Sequence, residues 1–141
     1  MVVSNKGEAI NQLVDLLKNN AAVSDIEIVR KAVFEREGVM STGVGKGFAI
    51  PHGKTSGVND IIGAFALVKN PLEFESMDGE PVRLIFLLAA KDTMVNMHIK
   101  LLSRISRLMG KDDFRQHLLE SNNAAEIAAL FRREEEQYPE I

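Results

Sequence analysis

The chain lacks cysteine and tryptophan, holds a single tyrosine and four prolines, and is only 6% aromatic over 141 residues. Without cysteine it can build neither a disulfide framework nor a thiolate zinc site, and a cytoplasmic home is compatible with that usage. No apolar run approaches the roughly 20 residues that a membrane-spanning helix needs. The longest, "LIFLLAA" from Leu84 to Ala90, has strand length, and the opening "MVVSNKGEAI" carries no basic segment followed by an apolar core. A cytoplasmic chain with no direct membrane insertion is therefore expected. Lysine plus arginine number 17 against 20 acidic residues, a net charge of -3, with no dense basic run. Nucleic acid is accordingly not an expected partner. A chain of this length can bury a core as one domain without staples.

What is present falls into two helical parts separated by a block of strands. From Gly7 to Asn20 the apolar residues Ile10, Leu13, Val14 and Leu17 recur at helical spacing. A second helix is expected to follow at once, with Ser24 and Glu27 as a capping box, Ile26, Val29 and Val33 as its buried stripe, and Gly38 as its stop. A short strand is expected at Phe48 to Ile50, interrupted by Pro51. "IIGAFALV" (Ile61 to Val68) and "VRLIFLLAA" (Val82 to Ala90) read as strands covered on both faces. Between them Asn70-Pro71 and Asp78-Gly79 are turn signals, with a further short strand at Leu72 to Phe74. Then His98, Leu101, Leu102, Ile105, Leu108 and Met109 share one helical face that ends at Gly110. Two shorter helices, Phe114 to Leu119 and Ala124 to Arg133, finish the chain before an acidic, solvated tail, "RREEEQYPE". Helices flanking buried strands argue for an α/β fold, a three-layer α/β/α sandwich around a mixed central sheet, in a single domain spanning 1–141 with its core at about 6–131.

The densest information lies in "STGVGKGFAIPHGKT", Ser41 to Thr55. Its ending, Gly53-Lys54-Thr55, imitates the phosphate-cradling G-x-x-x-x-G-K-[ST] loop, but the residue that would have to be the first glycine is Phe48. The dinucleotide pattern G-x-G-x-x-G fails as well, at Phe48 and at Ile50. A different chemistry is suggested by His52, expected just after a strand, where α/β folds gather their ligands. Pro51 fixes its own φ and restricts Ile50, and Gly53 lets the chain turn close behind the imidazole. Gly43, Gly45 and Gly47 can adopt positive φ and turn backbone N–H groups toward an anion. Arg36 offers a permanently charged fork for phosphate oxygens. His98 heads an apolar helical face, where a polar group needs a cleft or a partner. Ser41, Thr42 and Thr55 add hydroxyls, and a neutral His52 surrounded by such donors suffices to attack phosphorus. Lys46 and Lys54 are either guides for an acidic partner or plain loop charges, and His117 in "FRQHLLE" reads as a surface position.

These residues closely resemble the phosphocarrier IIA domains of the bacterial phosphoenolpyruvate-dependent sugar phosphotransferase system, of the fructose/mannitol type that includes nitrogen-regulatory IIA proteins. "STGVGKGFAIPHGKT" matches the family signature STG-x-G-x-G-x-A-I-P-H-G, Arg36-Glu37 precedes it at the family spacing, and "MHIKLLSRIS" supplies a second histidine, His98. The similarity runs from about Lys6 to Phe131. The resemblance implies an α/β sandwich and a phosphotransferase component in which His52 is phosphorylated, His98 assists and Arg36 stabilises the phosphoryl group. Thr42, Gly43, Gly45, Gly47 and Gly53 would line the phosphate site, and neither cofactor nor metal is called for. The implied donor is phospho-HPr and the implied acceptor a IIB domain, itself associated with a membrane IIC permease. "HGKT" and the segment "AAKDTMVNMH" look like the fructose and regulatory branches.

Two outputs fit the same phosphohistidine: sugar uptake, or a nitrogen-type regulator whose partner binding switches with phosphorylation. A metal-dependent hydrolase built on His52, His98 and Asp60 or Asp92 is a third reading, but neither histidine belongs to a metal-ligand spacing such as H-E-x-x-H.

Overall fold

The structure, a computed structural model, describes residues 1–137. Helix α1 spans Lys6–Leu17, and Asn5 caps it by accepting the Glu8 N–H at 2.9 Å. Ile10, Leu13, Val14 and Leu17 are buried as their spacing requires, although the helix ends at Leu17, short of Asn20. Helix α2 spans Ile26–Val39. Its cap is Asp25, not Ser24: the carboxylate accepts the N–H groups of Glu27 and Ile28 at 3.0 and 3.3 Å. The N–H groups of Ser24 and Asp25 both donate to Gly57 O, at 2.8 and 3.2 Å. Gly38 does not stop the helix but lies within it, and the chain leaves the helical region at Met40.

Five strands follow: β1 (Gly43–Gly45), β2 (Phe48–Ala49), β3 (His52–Thr55), β4 (Ile61–Leu72) and β5 (Val82–Lys91). β5 is the axis of the sheet. β4 runs antiparallel along one edge of it, while β2 and β3 run parallel to it, facing Leu84–Ile85 and Leu88–Lys91. Residues 48–55 therefore act as one extended segment along the other edge of β5, broken only at Ile50-Pro51. β1 folds back antiparallel on β2. The sheet is mixed, as expected for an α/β fold, and β5 is buried along nearly its whole length.

Several sequence expectations shift. β4 is less buried than its apolar run suggests: Ala66 and Val68 are buried, while Ile61, Ile62, Ala64, Phe65 and Leu67, which alternate over both faces, are half-buried. Asn70-Pro71 makes no turn. It lies inside β4, where the register slips between Leu67 and Leu72, a break in the ladder that tolerates a residue without an N–H. Leu72 ends β4 and no separate strand forms to Phe74, whereas Asp78-Gly79 does turn, with Gly79 at φ +74° and its N–H on Ser76 O at 3.0 Å.

The chain groups into two compact units, Met1–His98 and the residues from Ile99 onward. In the first, α1 contacts β4 and β5 and α2 contacts β3, and the helices' apolar stripes close a core with Ala49, Val68, Phe74, Val82, Ile85 and Leu87. The second holds most of α3 (Val95–Met109), then α4 (Asp112–Glu120) and α5 (Ala124–Gln137). There Phe114 meets Phe131 edge-on at 5.2 Å between centroids, and Lys111 pairs with Glu134 at 2.9 Å. α5 extends the expected last helix beyond Arg133 to Gln137, so the first part of the acidic tail is helical. The rest of the tail, Tyr138 to Ile141, lies outside the described residues.

Candidate active site

The sheet presents His52 through simple alternation. Gly53 and Thr55 are buried, and a Cβ on Gly53 would come within 3.1 Å of the α2 backbone at Ala32 and Val33. His52 and Lys54 project from the other face of β3, half-buried and exposed respectively. His52 is thus a strand residue rather than a loop residue, at the point where the chain rejoins β5 after Pro51. Pro51 O accepts the Leu88 N–H at 3.0 Å, which fastens the interruption to β5.

One contact orients the imidazole. His52 Nδ1 lies 2.8 Å from Ile50 O, and a carbonyl can only accept. In the neutral ring the proton therefore sits on Nδ1, leaving the Nε2 lone pair available. The first turn of α3 brings His98 edge-on to His52, with centroids 5.5 Å apart at 77°. His98 is 3% exposed, and its Nε2 has no hydrogen-bond partner among the described residues.

Burial holds the His52 pKa below the ordinary histidine value; the Ile50 carbonyl and Glu37 oppose this, and the charges of Arg36 and Lys54 add to it. His98 is depressed too, first by burial, then by His52 and Lys54. Both rings are accordingly neutral near pH 7, the form a nucleophile needs.

The other expected residues are distributed as follows. Arg36, in the last turn of α2, donates from Nη1 to Met40 O at 2.8 Å, close enough to His52 for its charge to be felt there. Thr42 is buried, with both its N–H and its hydroxyl directed to Glu37. Gly43 donates its N–H to Ser41 Oγ at 3.1 Å. Gly45 and Gly47 adopt φ of +117° and +82° around Lys46 at +57°, a left-handed turn whose central N–H donates to Asp78 Oδ2 at 2.9 Å. Ser41 donates its hydroxyl to Phe74 O, and Thr55 Oγ1 accepts the Gly57 N–H at 3.0 Å. His117 is exposed on α4. Among the described residues no group of three or more His, Cys, Asp or Glu side chains converges as a metal site would require.

Residues 1–134 match the family described as "Phosphoenolpyruvate-dependent sugar phosphotransferase system, EIIA 2". The chain belongs to this family. It is 44% identical over 104 residues to a nitrogen regulatory protein of Bradyrhizobium diazoefficiens, covering 71% of this chain and 68% of the relative. It is 34% identical over 128 residues to the PTS system fructose-specific EIIABC component of Bacillus subtilis, covering 91% of this chain but 20% of that longer relative. The crystal structure of nitrogen regulatory protein IIA-Ntr from Neisseria meningitidis superposes with a TM-score of 0.85 at 32% identity, covering 92% of this chain and 88% of that one. The chain is thus an EIIA phosphocarrier-family domain with relatives on both the fructose-specific and the regulatory side.

In this EIIA chain Glu37, which the sequence places beside Arg36 without assigning it a role, has its charge felt at His52. Val29, Val33 and Glu37 follow i, i+4, i+8, so Glu37 falls on the buried stripe of α2, and it is only 7% exposed. A carboxylate there requires compensation. Lys6 Nζ at 2.8 Å and the two donors of Thr42 provide it.

Proposed function

We propose that His52 accepts a phosphoryl group from phospho-HPr and passes it to a IIB domain that serves a membrane IIC permease, in a cytoplasmic fructose-type uptake relay. The observation that carries this reading is the 2.8 Å contact between His52 Nδ1 and Ile50 O, which leaves Nε2 as the nucleophile. In the step, the Nε2 lone pair forms a bond to phosphorus. The bond from phosphorus to the donor's histidine nitrogen breaks, and its electron pair returns to that nitrogen. The proton on Nδ1 stays in place, and Ile50 O stabilises the charge that develops on the ring. His98, with Nε2 unpartnered among the described residues, donates to a phosphoryl oxygen, while Arg36 supplies its remaining N–H groups. The glycines contribute mainly shape: the left-handed turn at 45–47 and the close approach of Gly53 to α2 hold the segment that bears His52.

The test is intact mass after incubation with phosphoenolpyruvate, Enzyme I and HPr. Wild type should gain one acid-labile phosphoryl group and His52→Ala none, with the variant retaining wild-type secondary structure. An unmodified wild type in a competent cascade would refute the relay.

A second reading, a nitrogen-type regulator whose partner binding switches with His52 phosphorylation, is favoured by the 44% identity to a nitrogen regulatory protein. The two readings divide on the next step. A transport component transfers its phosphate rapidly to a cognate IIB, and a regulator changes its affinity for a partner instead.

A further inference from the structure

An unbroken line of hydrogen bonds runs from the start of α1 to the imidazole of His52. Lys6 Nζ pairs with Glu37 Oε2 at 2.8 Å, and the same oxygen accepts the Thr42 N–H at 2.8 Å. Glu37 Oε1 accepts the Thr42 hydroxyl, so the carboxylate grips that residue at two points. Thr42 O in turn accepts the Ile50 N–H at 3.0 Å, and Ile50 O meets His52 Nδ1 at 2.8 Å. Pro51 confines Ile50 to extended conformations, so the direction of the Ile50 carbonyl follows from where its N–H is anchored.

We infer that Glu37 is a positioning residue for phosphoryl transfer: by clamping Thr42 it aims the Ile50 carbonyl at Nδ1 and so presents Nε2 of His52 as the nucleophile. The inference rests on the proposed phosphorylation of His52 for its purpose, though the clamp itself is defined without it. Glu37 is well suited to the task. It sits at the end of α2, directly after Arg36, and its side chain is 5% exposed against 20% for Lys6. Thr42 is buried as well, so neither end of the clamp competes with water. The alternative is a purely structural role, an ion pair joining α1 to α2 with no bearing on the ring. The two roles differ in what they do to the tautomer. A structural pair leaves it alone, whereas the clamp controls it.

The experiment is nitrogen-15 NMR of the imidazole of His52 in the full chain, at a pH where the ring is neutral. The charged or titratable groups around that ring are Arg36 and Glu37 from α2, Lys54 on β3 and His98 from α3, and all are retained in the variants, apart from the one changed. Wild type should show the proton on Nδ1. Glu37→Gln keeps the shape but surrenders one acceptor and the charge facing Lys6, so the Nε2–H form should become populated. Phosphoryl acceptance should then slow by about tenfold, the scale of one charge-assisted hydrogen bond. Should Glu37→Gln fail to fold by its amide spectrum, Glu37→Asp decides, because it keeps the charge opposite Lys6 but draws the carboxylate back from both Thr42 donors. A wild-type tautomer in the folded deciding variant overturns the inference, even if transfer has slowed. A shifted tautomer supports it. Wild type that never becomes phosphorylated, but whose tautomer shifts on Glu37→Gln, would defeat the proposed relay and leave the clamp standing.

Discussion

The rings of His52 and His98 meet edge-on with centroids 5.5 Å apart, and both have their protonated forms disfavoured by burial and by the positive charge of Lys54. The consequence is a pH profile with a definite sign. Protonation of Nε2 removes the lone pair, so phosphoryl acceptance should stay level from alkaline pH down through the ordinary histidine range near 6.5, and decline only below it. Lys54 shares the face of His52 on β3 without being part of the proposed bond-forming set. In Lys54→Met the depressing charge is gone, and the decline should move toward higher pH. Single-turnover rates from phospho-HPr across the pH range would measure both curves. Superimposable profiles would mean that Lys54 does not influence the ring. His98→Ala, by contrast, should slow acceptance without abolishing it, since the nucleophile remains.

At the scale of elements, the glycines divide by what lies beside them. A Cβ on Gly53 would meet the α2 backbone at 3.1 Å, so Gly53→Ala must push β3 away from α2 and carry His52 with it. The expected cost is about 1–3 kcal/mol together with slower transfer. Gly38 is the counter-case: it lies in helix α2 with nothing within 4 Å of its absent Cβ and no positive φ. Gly38→Ala should stabilise by up to about 1 kcal/mol, read as a rise in the denaturant midpoint. The sequence presents Gly38 as a helix stop because glycine after an apolar stripe commonly is one. What it omits is that the chain leaves the helix through an extended Met40, needing no left-handed residue. Asp25 rather than Ser24 caps α2: the N–H groups of both donate to Gly57 O, and it is the Asp25 carboxylate that accepts from Glu27 and Ile28. Helical stripes and the long strands β4 and β5 were legible because their period is local. β1 and β3 were not, since strands of three and four residues exist only through their partners β2 and β5.

For the whole molecule, the site was legible as a motif and illegible as a network. The sequence pointed to His52, His98 and Arg36, and the structure brings the two histidines together and puts the charge of Arg36 within reach of His52. It could not reveal that Thr42 is occupied by Glu37, because that contact depends on how the chain turns back on the end of α2 after Met40. The two neutral rings shape acid stability. A histidine whose folded pKa lies below its unfolded value leaves the unfolded chain binding more protons in the interval between them, so stability falls as pH drops through that interval. Both His52 and His98 have this sign, and their shared window opens just below about 6.5. Asp78, whose pKa is lowered by the Lys46 and Glu80 N–H groups, loses its contribution in the same direction but in a separate window, below the ordinary carboxylate value. Denaturant midpoints measured from pH 8 to pH 5 should therefore decline for wild type. In the double variant His52→Ala, His98→Ala the decline should be shallower, because the groups that take up protons on unfolding are gone. Equal slopes would mean that the buried rings keep ordinary affinities for protons, and with that the argument that both are poised neutral for transfer would lose its electrostatic basis.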